Sequence, residues 1–181
     1  MQAPKIVALE EAREQYGRRA WTRAFASLTA ADRVSGLGPE DLERLAMSSY
    51  LIGRDDDYLD ALDRAHHAFL AAGEKLRAVR CAFWLGLRLV FRGETGRSTG
   101  WLARAERLIE AENGACVERG YLLLPPAEQQ LARGQWDEAR RAYRRDVNDA
   151  DLSGPLSFYE QGRKEAGFER GIELALRGIL V

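Results

Sequence analysis

The sequence predicts an all-α fold: a right-handed α-solenoid of about four helix hairpins, followed by one or two C-terminal helices. Three observations predict it. Apolar residues recur at helical spacing along nearly the whole chain, and strand-like alternation is almost absent. Clusters such as "SGLGPED", "AAGE", "ENGA" and "LSGP" cut the chain into segments of helix length. Finally, one pattern repeats. Ala46, Gly53, Tyr58, Leu62 and Ala65 return 40 residues later as Gly86, Gly93, Ser98, Leu102 and Ala105. A shift back by 34 gives Ala12, Arg19, Ala24, Leu28 and Ala31, and a shift of the third set forward by 41 gives Ala127, Gly134, Ala139 and Tyr143.

Each pattern position has a physical reading. The small residues Ala12, Ala46, Gly86 and Ala127 are expected to face Ala24, Tyr58, Ser98 and Ala139 on the following helix, since missing side-chain bulk lets two helices cross closely. Gly53, Gly93 and Gly134 are expected to end the first helix of each pair, because a C-terminal cap needs the left-handed conformation. Leu28, Leu62, Leu102 and Tyr143 are expected to fill space toward the next repeat. In the fourth copy Pro125-Pro126 would cost a continuous helix about 3 kcal/mol or more, so a break is expected there. In the tail, Phe168, Ile172, Leu176 and Ile179 form one helical stripe. Gly162, Gly167, Gly171 and Gly178 each weaken that helix by about 1 kcal/mol, so packing must support it. The expected division is residues 1–145 for the repeats and 146–181 for an extension packed on the last of them.

The stretches around Trp84–Glu94, "LARGQWDEARRAY" and "YLIGRDDDYLDALDRAHHAF" resemble tetratricopeptide repeats. With "ALEEAREQY", "DLERLA", "RAVRCAFWLGLRLVFRGE", "GWLARAERLIE" and "CVERGYLLLP", residues 6–143 resemble the helical-repeat region of bacterial LuxR-type transcriptional regulators. That resemblance implies a sensing or interaction platform. No stretch here reads as the basic recognition helix of that group, so the expectation stops short of DNA binding. Residues 140–181, "RRAYRRDVNDADLSGPLSFYEQGRKEAGFERGIELALRGILV", resemble a short helical domain of planctomycete-type multidomain proteins that often carry cytochrome c modules. Asp146 departs from the proline usual there, and no Cys-x-x-Cys-His is present for haem attachment.

Composition narrows the classes further. Lys plus Arg number 27 against 28 Asp plus Glu, so no overall field favours nucleic acid or an anionic membrane. The N-terminal "MQAPKIVALEEAREQ" has no apolar signal core, and the expected compartment is the cytoplasm. Cys81 and Cys116 lie in apolar helical runs and read as buried thiols.

Local motifs for chemistry are weak. His66 and His67 are adjacent and point about 100° apart on a helix, unlike an i, i+4 ligand pair. "RDDDYLD" lacks the glycine and distal glutamate of a calcium loop, and reads as acids at a helix N-terminus. "GETGRSTG" lacks a Gly-Lys-Ser/Thr ending and reads as the turn into a helix beginning near Arg97. No cofactor, metal or catalytic set is assigned.

The expected function is therefore a non-catalytic scaffold that binds a protein or peptide, best an amphipathic helix. By repeat phase its groove should be lined by Leu9, Arg13 and Tyr16, then Glu43, Met47 and Tyr50. Arg80, Phe83, Leu87, Val90 and Phe91 follow, then Tyr121, Leu124 and Glu128. The alternative for the same residues is ordinary core covered by the chain's own tail. Two other functions stay open: a piece of a cytochrome-associated envelope protein, and a helical module for a small ligand.

Overall fold

In a computed structural model of the chain, the described residues are 3–112 and 117–122. Within them every regular element is an α-helix: α1 (Ala3–Gly17), α2 (Trp21–Ser35), α3 (Pro39–Leu51), α4 (Asp55–Ala71), α5 (Lys75–Phe91), α6 (Thr95–Glu110) and α7 (Val117–Leu122). The chain divides into two compact units, Met1–Asn113 and Gly114–Val181. In the first, each helix packs on the next in sequence, and α1 also touches α3. The expected boundary at 145/146, the fourth copy of the pattern, the Pro125-Pro126 break and the tail stripe lie outside the described residues.

Three-residue connections join α1 through α6, and four of the five are built alike. At the α3–α4 turn, Gly53 has φ +76°. Its N–H donates to the Tyr50 carbonyl at 3.1 Å, and the Arg54 N–H donates to the Ser49 carbonyl at 2.8 Å. This pair of bonds is a Schellman cap, which satisfies the last carbonyls of a helix. Arg54 then begins the next helix, its carbonyl accepting from the Tyr58 N–H at 3.0 Å. The same bonds recur around Gly73 and Gly93, and around Arg19, which stands at φ 59° without being glycine. The α2–α3 connection differs: Gly36 and Gly38 flank Leu37, and Pro39 opens α3, where its missing N–H is harmless.

The repeat pattern marks the core. Ala12, Ala24 and Leu28, then Ala46, Tyr58, Leu62 and Ala65, then Ser98 and Ala105 are all buried. Phe69, Leu45, Leu85 and Leu89 fill the spaces between them.

One expectation needs correcting. Gly86 lies against Leu102, one helical turn beyond Ser98, and Leu102 packs back onto its own hairpin partner. A helical side chain leans toward the N-terminus of its helix, so Leu102 covers the surface over the Ser98 turn. The helix entered through "GETGRSTG" begins at Thr95, near Arg97 as expected.

Candidate interaction surface

The residues named from repeat phase come from α1, α3 and α5. Tyr16, at the end of α1, is half-buried and meets the ring of Trp21 edge-on at 5.3 Å. Tyr50 takes the matching position in α3 and packs on Tyr58 at 5.2 Å, with the Arg88 guanidinium 5.8 Å from its ring centre. Met47 and Leu87 are half-buried. Phe83 is fully buried beside Trp84, with ring centres 4.8 Å apart. Tyr121 is buried in α7, and Leu124 and Glu128 lie outside the described residues. Leu51, Val90 and Phe91 keep 43–45% of their surface exposed. Leu51 and Phe91 are equivalent positions, each directly before its turn, so they mark the same end of successive hairpins.

Charged groups join these helices more than the apolar pattern suggested. Asp41 of α3 is 2% exposed. Arg13 of α1 grips it with two bonds, of 2.9 and 2.6 Å, and Arg44 adds a third at 2.6 Å. Burial alone would raise that carboxyl; the two guanidinium groups outweigh it and hold the group below its ordinary range. One repeat further on, Arg77 of α5 reaches Glu40 at 2.9 Å and Glu43 at 2.6 Å on α3, and Glu74 at 3.1 Å. Its guanidinium also lies 4.0 Å from the centre of the Phe69 ring. Arg80 stands 3.8 Å from Glu43. Ion pairs thus run from α1 to α3 and from α3 to α5. Among the even helices, Arg64 of α4 clasps Asp32 of α2 at 2.6 and 2.7 Å.

The acids of "RDDDYLD" open α4 as expected, but their partners are arginines. Asp55 pairs with Arg88, Asp56 with Arg92 at 2.7 Å and Asp57 with Arg54 at 2.5 Å. The side chain of Arg54, the residue before this helix, makes no capping bond. Cys81 is buried, and burial with Glu43 nearby pushes its thiol up to about 12, so it stays protonated at neutral pH. The Tyr58 phenol is raised by burial and by neighbouring Tyr50.

Of the named residues in the first unit, Tyr16, Met47, Tyr50 and Leu87 are half-buried and Val90 and Phe91 exposed, with paired charges beside them, whereas Phe83 is core. One family model matches the chain. It is described as "PSD5: Protein of unknown function (DUF1595)", and it covers residues 137–181. That is about a quarter of the chain, in the segment already read as similar to planctomycete-type multidomain proteins. No curated protein and no solved structure matches the chain. The LuxR-type and tetratricopeptide resemblance of residues 6–143 gains no support from these comparisons. Among the described residues no helix is long and apolar enough to cross a membrane.

The arginine–carboxylate partners escaped the sequence reading. Their sequence signal is a separation of 28 to 37 residues, close to one repeat, between Arg13 and Asp41, Arg77 and Glu40, and Arg88 and Asp55.

Proposed function

We propose that this chain is a non-catalytic interaction scaffold, an α-solenoid of tetratricopeptide-like hairpins similar to the sensing region of a bacterial regulator. Its partner is a protein or peptide presenting an amphipathic helix, and it works in the cytoplasm without touching nucleic acid directly. One observation carries this reading. The same capped turn closes the first helix of each hairpin at Arg19, Gly53 and Gly93, as it also does α4 at Gly73. In the hairpins it stands in register with the buried pairs Ala12/Ala24, Ala46/Tyr58 and Gly86/Ser98, a repetition that supports stacked like units. The ion pairs from α1 to α3 and α3 to α5 lend support, because they link like helices of successive hairpins. Tyr16, Met47, Tyr50, Leu87 and Phe91 supply the apolar contact, and Arg80 with Glu43 supplies charge for register. Arg80 and the surrounding arginines face acids of the same chain, which leaves little positive field for a phosphate backbone.

The test is selection of binders from a library of amphipathic helical peptides by the full chain. Met47→Glu with Leu87→Glu should abolish binding of the selected peptides while circular dichroism stays that of the parent. Peptides that bind both chains equally would overturn this surface.

The family match at residues 137–181 favours a second reading, in which the chain is part of a multidomain cytochrome-associated envelope protein. Haem-attachment motifs encoded in the same reading frame would decide for it. A small-ligand module is discriminated by a thermal-shift screen.

A further inference from the structure

His66 is fully buried on α4, and its two ring nitrogens have different surroundings. Nδ1 lies 2.8 Å from the Ala78 carbonyl of α5. A carbonyl can only accept, so Nδ1 carries the hydrogen and Nε2 is a bare lone pair. That Nε2 is buried and has no hydrogen-bond partner among the described residues. The ring also meets Trp101 of α6 edge-to-face, with centres 5.1 Å apart and planes at 89°. Arg104 lies 4.7 Å from the centre of the same indole. One imidazole therefore touches α4, α5 and α6 at once.

We propose that His66 is a proton-operated latch on α6: the neutral ring seals the α4–α5–α6 junction, and the protonated ring releases it. Protonation would create an N–H and a positive charge at Nε2, where no described residue offers an acceptor, and a buried unpaired charge is costly. The groups acting most strongly on the ring are the Ala78 carbonyl from α5, His67 and Asp63 from α4, and Arg104 from α6. Of these Asp63 and the carbonyl favour the cation, while His67 and Arg104 oppose it; α3 contributes none of them. Burial is the largest influence and holds the imidazole below its ordinary 6.5. The closed state then binds fewer protons than the open one. Closure is fully favoured above pH 6.5 and weakens as the pH falls from there toward the folded value. Release acts on α6 because it is the last helix of its compact unit, tied to α5 by a three-residue turn.

Amide hydrogen exchange on the full chain tests this, from pH 8 to 5, corrected for the intrinsic rate. Protection of α6 should fall by up to about tenfold per pH unit below 6.5, while α3 holds. His66→Asn keeps a donor near Nδ1 and removes the titrating nitrogen, so its α6 should show no such fall. Equal loss in α6 and α3, or the same loss in both chains, overturns the latch. Should the variant fail to fold, nitrogen resonances of the parent decide. The latch requires the Nδ1–H tautomer at pH 8 and α6 protection that falls as His66 titrates. A His66 that titrates while α6 stays protected overturns it.

Discussion

Gly86 of α5 and Leu102 of α6 approach so closely that a Cβ on Gly86 would stand 3.0 Å from both Cγ and Cδ2 of Leu102, and 3.4 Å from its backbone nitrogen. Alanine at the equivalent positions 12 and 46 shows that the other hairpins admit a methyl group here. Gly86→Ala gains up to about 1 kcal/mol of helix propensity. Overpacking against a leucine branch and a backbone atom costs about 1–3 kcal/mol. The expected net is a loss of about 1 kcal/mol in urea unfolding. In a Leu102→Ala background the same change should turn neutral or stabilising. An additive pair would mean that the two residues do not press on each other.

Arg19 holds the left-handed conformation that Gly53, Gly73 and Gly93 hold at the matching turns. A side chain there pays a backbone penalty of about 1 kcal/mol or more, which glycine avoids. Glycine's greater unfolded-state freedom returns part of that. Arg19→Gly should therefore raise stability by about 0.5 kcal/mol, and Gly53→Ala should lower it by about 1 kcal/mol, both read from thermal unfolding.

Asp41 couples the first hairpin to the second through Arg13. Its folded carboxyl lies below the ordinary 3.8, so its contribution is fully present above pH 3.8 and is lost as the pH falls through the folded value. Asp41→Asn removes the charge. It should cost about 1–3 kcal/mol at pH 7, and less at pH 2, because lowering the pH below 3.8 moves the parent carboxyl toward its lowered folded value. Denaturant unfolding at the two pH values checks the sign: a variant that loses the same amount at both would mean the charge is not what binds the helices.

Arg77 meets three carboxylates and the face of Phe69 with one planar group. An ammonium can neither fork across Glu40 and Glu43 nor stack flat on a ring. Arg77→Lys is expected to cost about 1 kcal/mol despite the kept charge, and added salt should shrink the difference, since this site is partly exposed. A charge-only role would leave the lysine variant at parental stability.

Much of the backbone was legible. Gly53 and Gly93 were readable as helix ends because a left-handed cap leaves few alternatives; Arg19 stands in the same register but, not being glycine, was not read as one. The pairing of Gly86 was not. Repeat spacing says which residues share a helix face, but the lean of Leu102 decides which turn of α6 meets it. The charged contacts were hidden for a related reason: Arg13 and Asp41 are visible as charges, while their meeting depends on how α1 crosses α3. Phase also failed to separate Phe83 from Phe91, which lie about 80° apart around α5.

That separation gives the last prediction. Phe83 is 0% exposed and Phe91 is 43% exposed, although both were named for the same surface. Phe83→Ala should remove packing worth about 3–5 kcal/mol and lower the melting temperature sharply. Phe91→Ala should cost about 1 kcal/mol or less, since much of its ring stays in water. If Phe91 anchors the bound helix, the same variant should weaken a selected peptide by more than about tenfold, or over 1 kcal/mol. Calorimetric binding and thermal unfolding on the same samples separate these effects. Unchanged affinity with a large loss of stability at Phe91 would make it core like Phe83, and the docking surface would then have to exclude the hairpin end where it sits.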